Sequence, residues 1–167
     1  MKKVAILTIA VALGCLFAST SVAVQYQMEH TYTAMTPIFM VGHVGDPAKI
    51  EGFEIHSTVA LGGQVIGSAL TRVRLLAPPM DITVPISWMN ADVTYTFEGL
   101  GTIEVHSVGI SYGTSNAAAT GEIVFAGAGS VRNGTGALAG FEGVSSSNGS
   151  TNIFIGGGNE TVVFDIP

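Results

Sequence analysis

Apolar and polar residues alternate with a period of two along much of the chain after residue 23. This alternation is typical of β-strands that bury one face. In residues 24–32, one face of the predicted strand carries Val24, Tyr26, Met28, His30 and Tyr32. The residues between them are all polar. We therefore predict a half-buried strand here, and further alternating strands that begin near residue 52 and span 93–97.

Turn residues divide the rest of the chain. Gly62 and Gly63 predict a tight hairpin, because adjacent glycines supply the positive φ angles that such turns require. A long strand is predicted at 65–76, with one face made by Val65, Ala69, Val73 and Leu75. Other predicted strands and apolar pieces lie at 36–44, 82–88, 103–112, 120–127, 152–155 and 161–166. Eight or nine strands result.

Three local features are predicted between these strands. Residues 89–91 are expected to form a turn. In the run 103–112, Ile103 and Val105 share one parity whereas Val108 and Ile110 share the other. A change of parity is what a β-bulge produces, so we expect a bulge at 107–109. The Ser/Gly/Asn-rich residues 144–151 carry no strand pattern.

The pattern also limits the fold class. No stretch shows an apolar period of three to four residues, so helices longer than a turn or two are not expected. Many short strands joined by glycine turns are typical of an all-β sandwich or barrel.

The N-terminus predicts export. Lys2 and Lys3 precede an apolar run at 4–18, and small residues lead to Ala23. This order is typical of a secretory signal peptide, so we expect residues 1–23 to be removed and residues 24–167 to form one β domain. The apolar run is shorter than the roughly 18–20 residues that span a bilayer, and no other stretch is long enough. We predict a secreted or periplasmic protein with no membrane span.

The single cysteine and the charge exclude several functions. Cys15 lies within the predicted signal peptide, which leaves the mature chain without a disulfide or thiol nucleophile. A lipoprotein anchor on Cys15 is the alternative; bulky Leu13 and the apolar run beyond the cysteine disfavour it. Removing Lys2 and Lys3 leaves four of six basic residues against twelve acidic ones, a net charge of −8. No nucleic-acid partner is expected, because phosphate binding needs clustered Lys and Arg.

The segment NGTGALAGFEG at 133–143 resembles the Gly-Thr-Gly segment of the allene oxide cyclase and dirigent superfamily. Other pieces of that family's pattern follow in its order: QVIG at 64–67, GTIEV at 101–105 and VVFDI at 162–166. The resemblance covers roughly residues 46–166. It implies a single antiparallel, eight-stranded, calycin-like barrel in which 133–143 joins two late strands. It also implies a homotrimer.

The same resemblance suggests a function. The cyclases of this family work mainly by folding an apolar substrate inside the barrel, which requires shape and few polar groups. Dirigent proteins carry an Asp-Asp-Pro segment at the ligand site, and Gly45-Asp46-Pro47 is similar to it with the first aspartate missing. Asp46 is therefore a candidate ligand-binding residue; a plain turn residue before proline is the alternative.

Candidate chemistry on the predicted inner faces is sparse. His30 shares a face with Tyr26, and with Tyr95 from another strand it would meet a ligand if these faces line a lumen, as a polar anchor or general base. The alternative is a histidine bonded to a carbonyl. The four histidines lack the close spacing of metal ligands, so no metal site is predicted.

Other polar residues are expected on the outer face. Glu104 and His106 lie two apart on one strand, and Arg72 and Arg74 on another. No nucleophile elbow or phosphate loop is present, so no cofactor is predicted. Two functional hypotheses follow: a barrel that binds a small apolar molecule and steers its cyclisation, or a non-enzymatic surface or self-assembling β protein.

Overall fold

Eight antiparallel strands close into one barrel. The computed structural model describes residues 24–46, 49–76, 87–114 and 116–166. Each strand pairs with its neighbours in sequence, and the first strand pairs with the last to complete the barrel. The all-β, eight-stranded antiparallel barrel is therefore confirmed. The predicted signal peptide, Pro47, and the predicted strand residues 82–86 lie outside the described residues.

The strands are long, and the α-helix found among the described residues is one turn. The strands are β1 (Val24–Phe39), β2 (Ile50–Leu61), β3 (Gln64–Leu75), β4 (Ser87–Phe97), β5 (Gly101–Gly113), β6 (Glu122–Gly134), β7 (Val144–Asn152) and β8 (Gly157–Ile166). The helix α1 (Ala117–Thr120) precedes β6, and a 3₁₀ turn (Gly136–Leu138) lies between β6 and β7.

The predicted alternation of β1 and β2 is confirmed. Met28 and His30 of β1 are buried, and the alternate residues Gln27, Glu29 and Thr31 are exposed. On β2, Phe53, Ile55 and Val59 are buried in the same alternating way. Gly62 and Gly63 both have positive φ, as the predicted hairpin turn requires.

Bulges or register irregularities change the parity of four strands. They leave one extra residue at Thr33 of β1, at Glu51 of β2, at Ile66 of β3 and at Arg132 of β6. Because of the bulge at Ile66, Val65 does not share a face with Ala69: Val65 is 70% exposed and Ala69 is buried. The prediction that Val65 shares a face with Ala69 was therefore wrong.

Strands β4 and β5 pair without interruption from Ser87 opposite Ser111 to Phe97 opposite Gly101. The predicted turn at 89–91 is therefore wrong, since these residues lie within β4. The predicted bulge at 107–109 is also wrong. The apolar residues Val108 and Tyr112 point outward and are about half exposed, so the change of apolar parity reflects an apolar outer wall and not an extra residue.

The Ser/Gly/Asn-rich residues form β7 from Val144 to Asn152. The apolar piece predicted at 152–155 instead lies mainly in the turn that follows β7. Strand propensity is low in this sequence, but both edges of β7 are paired, with β6 and β8. Barrel closure thus determines a strand that the residue types alone do not indicate.

The connector between β6 and β7 closes one end of the barrel. Its position between two late strands agrees with the prediction for 133–143. Leu138 enters the core and is 3% exposed, while Phe141 packs against the same core. Gly136 has a φ of 62°, and a Cβ there would lie 2.5 Å from the Leu100 carbonyl oxygen. Only glycine fits this close approach without strain.

Candidate functional site

The barrel is solid in one half and hollow in the other. In the half closed by the connector, the side chains of Val59, Phe164 and Leu138 are almost completely buried. The other half contains a partly open cavity of about 80 Å³. All eight strands contribute to its wall, so the cavity is part of the barrel lumen.

Most of the cavity wall is apolar. The large apolar lining residues are Met35, Phe53, Ile55, Val73, Leu75, Met89, Val93, Ile123, Phe125 and Ile153. The space between them exists because several inward positions carry small side chains. These are Ser107, Gly109 and Ser111 on β5, Gly127 on β6 and Ser147 on β7. The low-complexity composition of β7 therefore serves to leave room inside the barrel.

One carboxylate lies in this apolar wall. Glu160 of β8 lines the cavity, and its side chain is 14% exposed. The Tyr32 hydroxyl donates a hydrogen bond to it. His30 Nδ1 lies 3.3 Å from Glu160 Oε2, within ion-pair range but without hydrogen-bond alignment. Glu160 and Tyr32 thus place a polar site in the cavity wall, and His30 contacts Glu160 without lining the cavity.

The surroundings of this group are strongly desolvated. Burial raises the pKa of Tyr32 far above its ordinary range, and the neighbouring Glu160 carboxylate adds to the rise. Burial also raises the pKa of Tyr95, with the charge of Glu160 contributing. Both phenols therefore stay protonated and can act as hydrogen-bond donors over the physiological pH range.

The structure brings two of the four predicted site residues together. The rings of His30 and Tyr95 meet edge to face, with centroids 5.4 Å apart, at the boundary where the core of the solid half meets Glu160, and neither residue lines the cavity. His30 is not bonded to a carbonyl, since neither ring nitrogen has a hydrogen-bond partner. Tyr26 lies opposite Phe164 and packs against the core of the solid half. Asp46 is exposed in the loop after β1 and does not line the cavity.

Glu160 was missing from the predicted site, although the sequence carries a signal for it. Val162, Phe164 and Ile166 of β8 are buried, and Glu160 has the same parity. A carboxylate on the inward parity of a strand is unusual, because burying a charge is costly unless it has partners. Extending the alternation two residues toward the start of β8 would have identified it.

The remaining predicted polar pairs lie on the outer wall. His106 Nδ1 lies 2.7 Å from Asp92 Oδ1, and the Asn133 amide donates to Glu104 at 2.9 Å. The Arg72 guanidinium donates to Glu54 at 3.0 Å and holds the pKa of that carboxyl below its usual value. These are solvated cross-strand pairs, which agrees with the outward orientation predicted for Glu104, His106 and Arg72.

The described part of the chain offers neither a metal-ligand cluster nor a membrane-spanning helix. The described residues contain no group of three or more His, Cys, Asp or Glu placed to hold a metal ion. Across residues 24–46, 49–76, 87–114 and 116–166, no helix has the length and hydropathy to cross a membrane.

Comparison with known proteins adds no relative. No protein-family model matches the sequence, and no curated protein matches it. Membership of the allene oxide cyclase and dirigent superfamily stays a prediction from the motif at 133–143, and the barrel interior is the main guide to function.

Proposed function

We propose that this protein is an exported barrel that binds a small apolar molecule in its hollow half. The observation that carries the proposal is the partly open, largely apolar cavity to which all eight strands contribute. Small-molecule sites are typically concave and apolar with a few convergent polar groups, and the mouths of barrels are common places for them. Glu160 and Tyr32 supply such polar groups here.

The size of the cavity limits the ligand. An engineered apolar cavity of about 150 Å³ binds benzene, and drug-sized ligands occupy about 300–1,000 Å³. The present cavity, about 80 Å³, is about half the size of that engineered cavity, so a ring-sized group enters only if the wall moves or if part of the ring stays in the open side. Met35 and Met89 line it, and unbranched methionine side chains adjust easily. The remainder of a larger ligand would extend through the open side.

The family resemblance extends this proposal to chemistry. A wall that holds a flexible apolar substrate in one folded conformation would favour ring closure by orientation alone. We propose such steering of a cyclisation as the reaction, with Tyr32 and Glu160 as the polar groups beside the substrate. Resemblance of the motif at 133–143 supports this step, and the enclosed shape is compatible with it.

A thermal-shift titration with toluene tests ligand binding. Toluene should raise the midpoint of unfolding in a concentration-dependent manner, because a ligand that binds only the folded state stabilises it. Ser147→Val fills the cavity and should abolish the shift. Ser146→Val is the matched control, since Ser146 is exposed on the outer wall. Wild-type protein that shows no shift, or a shift that Ser147→Val leaves unchanged, would contradict the proposal.

A second candidate function is self-assembly, because the outer wall carries an apolar strip. Trp88 is 63% exposed and pairs with Ile110, while Val108 and Tyr112 flank Ile110 on the same face of β5. Contiguous exposed apolar residues are typical of protein interfaces. The homotrimer implied by the family resemblance could use this strip. Light scattering after size exclusion tests self-assembly through this strip. The double variant Trp88→Ser, Tyr112→Ser should convert an oligomer to monomers. A monomeric wild type would exclude this function.

A further inference from the structure

We propose that the ligand carries a protonated amine and that Glu160 is the residue that binds it. This inference rests on the proposed ligand-binding function, and it adds the charge and hydrogen-bonding character of the ligand. The apolar body of the ligand would lie against the hydrophobic wall, with the ammonium group between Glu160 and the aromatic rings beside it.

The first reason is that the carboxylate has few partners. Glu160 lines the cavity with only 14% of its side chain exposed, so most of its hydration is lost. A carboxylate offers about four acceptor sites. One hydrogen bond comes from Tyr32, and His30 Nδ1 at 3.3 Å is not aligned to donate. Acceptor capacity thus remains on the carboxylate, whose burial is costly unless it is paired.

The second reason is that the buried His30 side chain beside Glu160 lacks hydrogen-bond partners. Its side chain is 1% exposed, and neither ring nitrogen has a hydrogen-bond partner although Nδ1 faces Glu160. Buried polar atoms are nearly always satisfied in folded proteins, and exceptions call for an explanation. An ammonium group has three N–H donors and no acceptor. It would donate to the Glu160 carboxylate and, beside it, to His30 Nδ1, whereas His30 Nε2 would still lack a partner.

The third reason is the character of the wall. None of the described residues that line the cavity is a lysine or arginine, so no such cation in the lining would offset the repulsion between an anionic ligand and the Glu160 carboxylate. Tyr32, Phe53 and Phe125 also line it. Aromatic faces attract cations, with a gain that increases as water is excluded. The net charge of the protein is −6, which also favours a cation over an anion.

A series of ligands with one aromatic body tests the inference on the wild-type protein. Benzylamine, benzyl alcohol, toluene and benzoate differ only in the group attached to the ring. Calorimetric titration at pH 7 should show benzylamine binding at least ~10-fold more tightly than benzyl alcohol, because a charge-assisted hydrogen bond replaces a neutral one. Benzoate should bind most weakly.

Glu160→Gln should remove the preference for benzylamine while toluene still binds. Glu122→Gln is the matched control, because Glu122 is exposed on β6 and does not line the cavity. If benzyl alcohol or toluene binds as tightly as benzylamine to the wild type, the amine inference is wrong and the proposed apolar site stands. If no member of the series binds, the proposed function fails together with it. The wild-type series decides between these outcomes even if Glu160→Gln does not fold.

Discussion

The two halves of the barrel share the same eight strands and the same alternation, yet one half is packed and the other is hollow. In the packed half the inward positions carry large side chains such as Val59, Phe97 and Phe164. In the hollow half several of them carry only Ser107, Gly109 or Ser147. The comparison shows that side-chain volume at inward positions, and not the path of the backbone, determines where this barrel has a lumen.

The two halves also differ in whether their end of the barrel is closed. The connector between β6 and β7 places Leu138 into the packed half as a plug, whereas the cavity of the hollow half is partly open. His30 and Tyr95 lie at the boundary, and Glu160 faces the cavity just beyond them. We therefore expect the packed half to provide most of the stability and the hollow half to bind the ligand.

The largest expected effect is the loss of stability on truncating a phenylalanine of the packed half, compared with the same truncation in the hollow half. Phe164→Ala should lower the free energy of unfolding by about 3–5 kcal/mol, because Phe164 is 2% exposed and its removal leaves a cavity in a close-packed core. Phe125→Ala should cost only about 1–2 kcal/mol, since Phe125 is half-buried and already borders empty space. Urea unfolding measures both, and equal losses would contradict the difference between the halves.

The plug at the closed end gives the next largest effect. Leu138→Ala should cost about 2–4 kcal/mol, because Leu138 is 3% exposed among core residues. Leu76→Ala, at the hollow end and 58% exposed, is the control and should change stability by less than about 0.5 kcal/mol. A loss below about 1 kcal/mol for Leu138→Ala would mean that the connector covers the barrel without packing into it.

Both stability predictions depend on which residues face the barrel interior. The alternation in the sequence predicts this correctly for some strands and wrongly for others. The alternation at 24–32 and 93–97 predicts the strands because a buried face requires apolar residues. It fails at Val65, where an extra residue at Ile66 changes the parity. It also fails for Val108 and Tyr112, because these apolar residues face outward and give the same sequence pattern as inward-facing residues. Local pattern cannot distinguish two apolar environments, whereas strand pairing can.

The candidate site was predictable only in part. His30 and Tyr95 share the predicted inner parity, and the structure places their rings in contact. Glu160 follows from the parity of β8, but its closeness to His30 depends on the pairing of β1 with β8, the first and last strands of the barrel. The cavity depends on which small residues of β5, β6 and β7 face each other. Barrel closure sets that arrangement, and no local stretch of sequence contains it.

The smallest expected effect is a loss of stability in alkali. The pKa values of Tyr32 and Tyr95 are raised in the folded state, so the unfolded chain loses these protons first as pH rises through about 10. Their contribution to stability is complete below that pH and decreases above it. Tyr32→Phe should make the decrease less steep in urea unfolding between about pH 9 and 11. An unchanged slope would show that Tyr32 is accessible to solvent when folded.

Isoleucine methyl NMR tests the central claim most directly, because both halves report in one spectrum. Ile55, Ile123 and Ile153 line the cavity, whereas Ile103 and Ile166 are buried in the packed half. On titration with toluene, we expect saturable shifts of the first three methyl signals and no comparable change in the other two. Shifts spread equally over both halves, or no shifts at all, would contradict a ligand site confined to the hollow half.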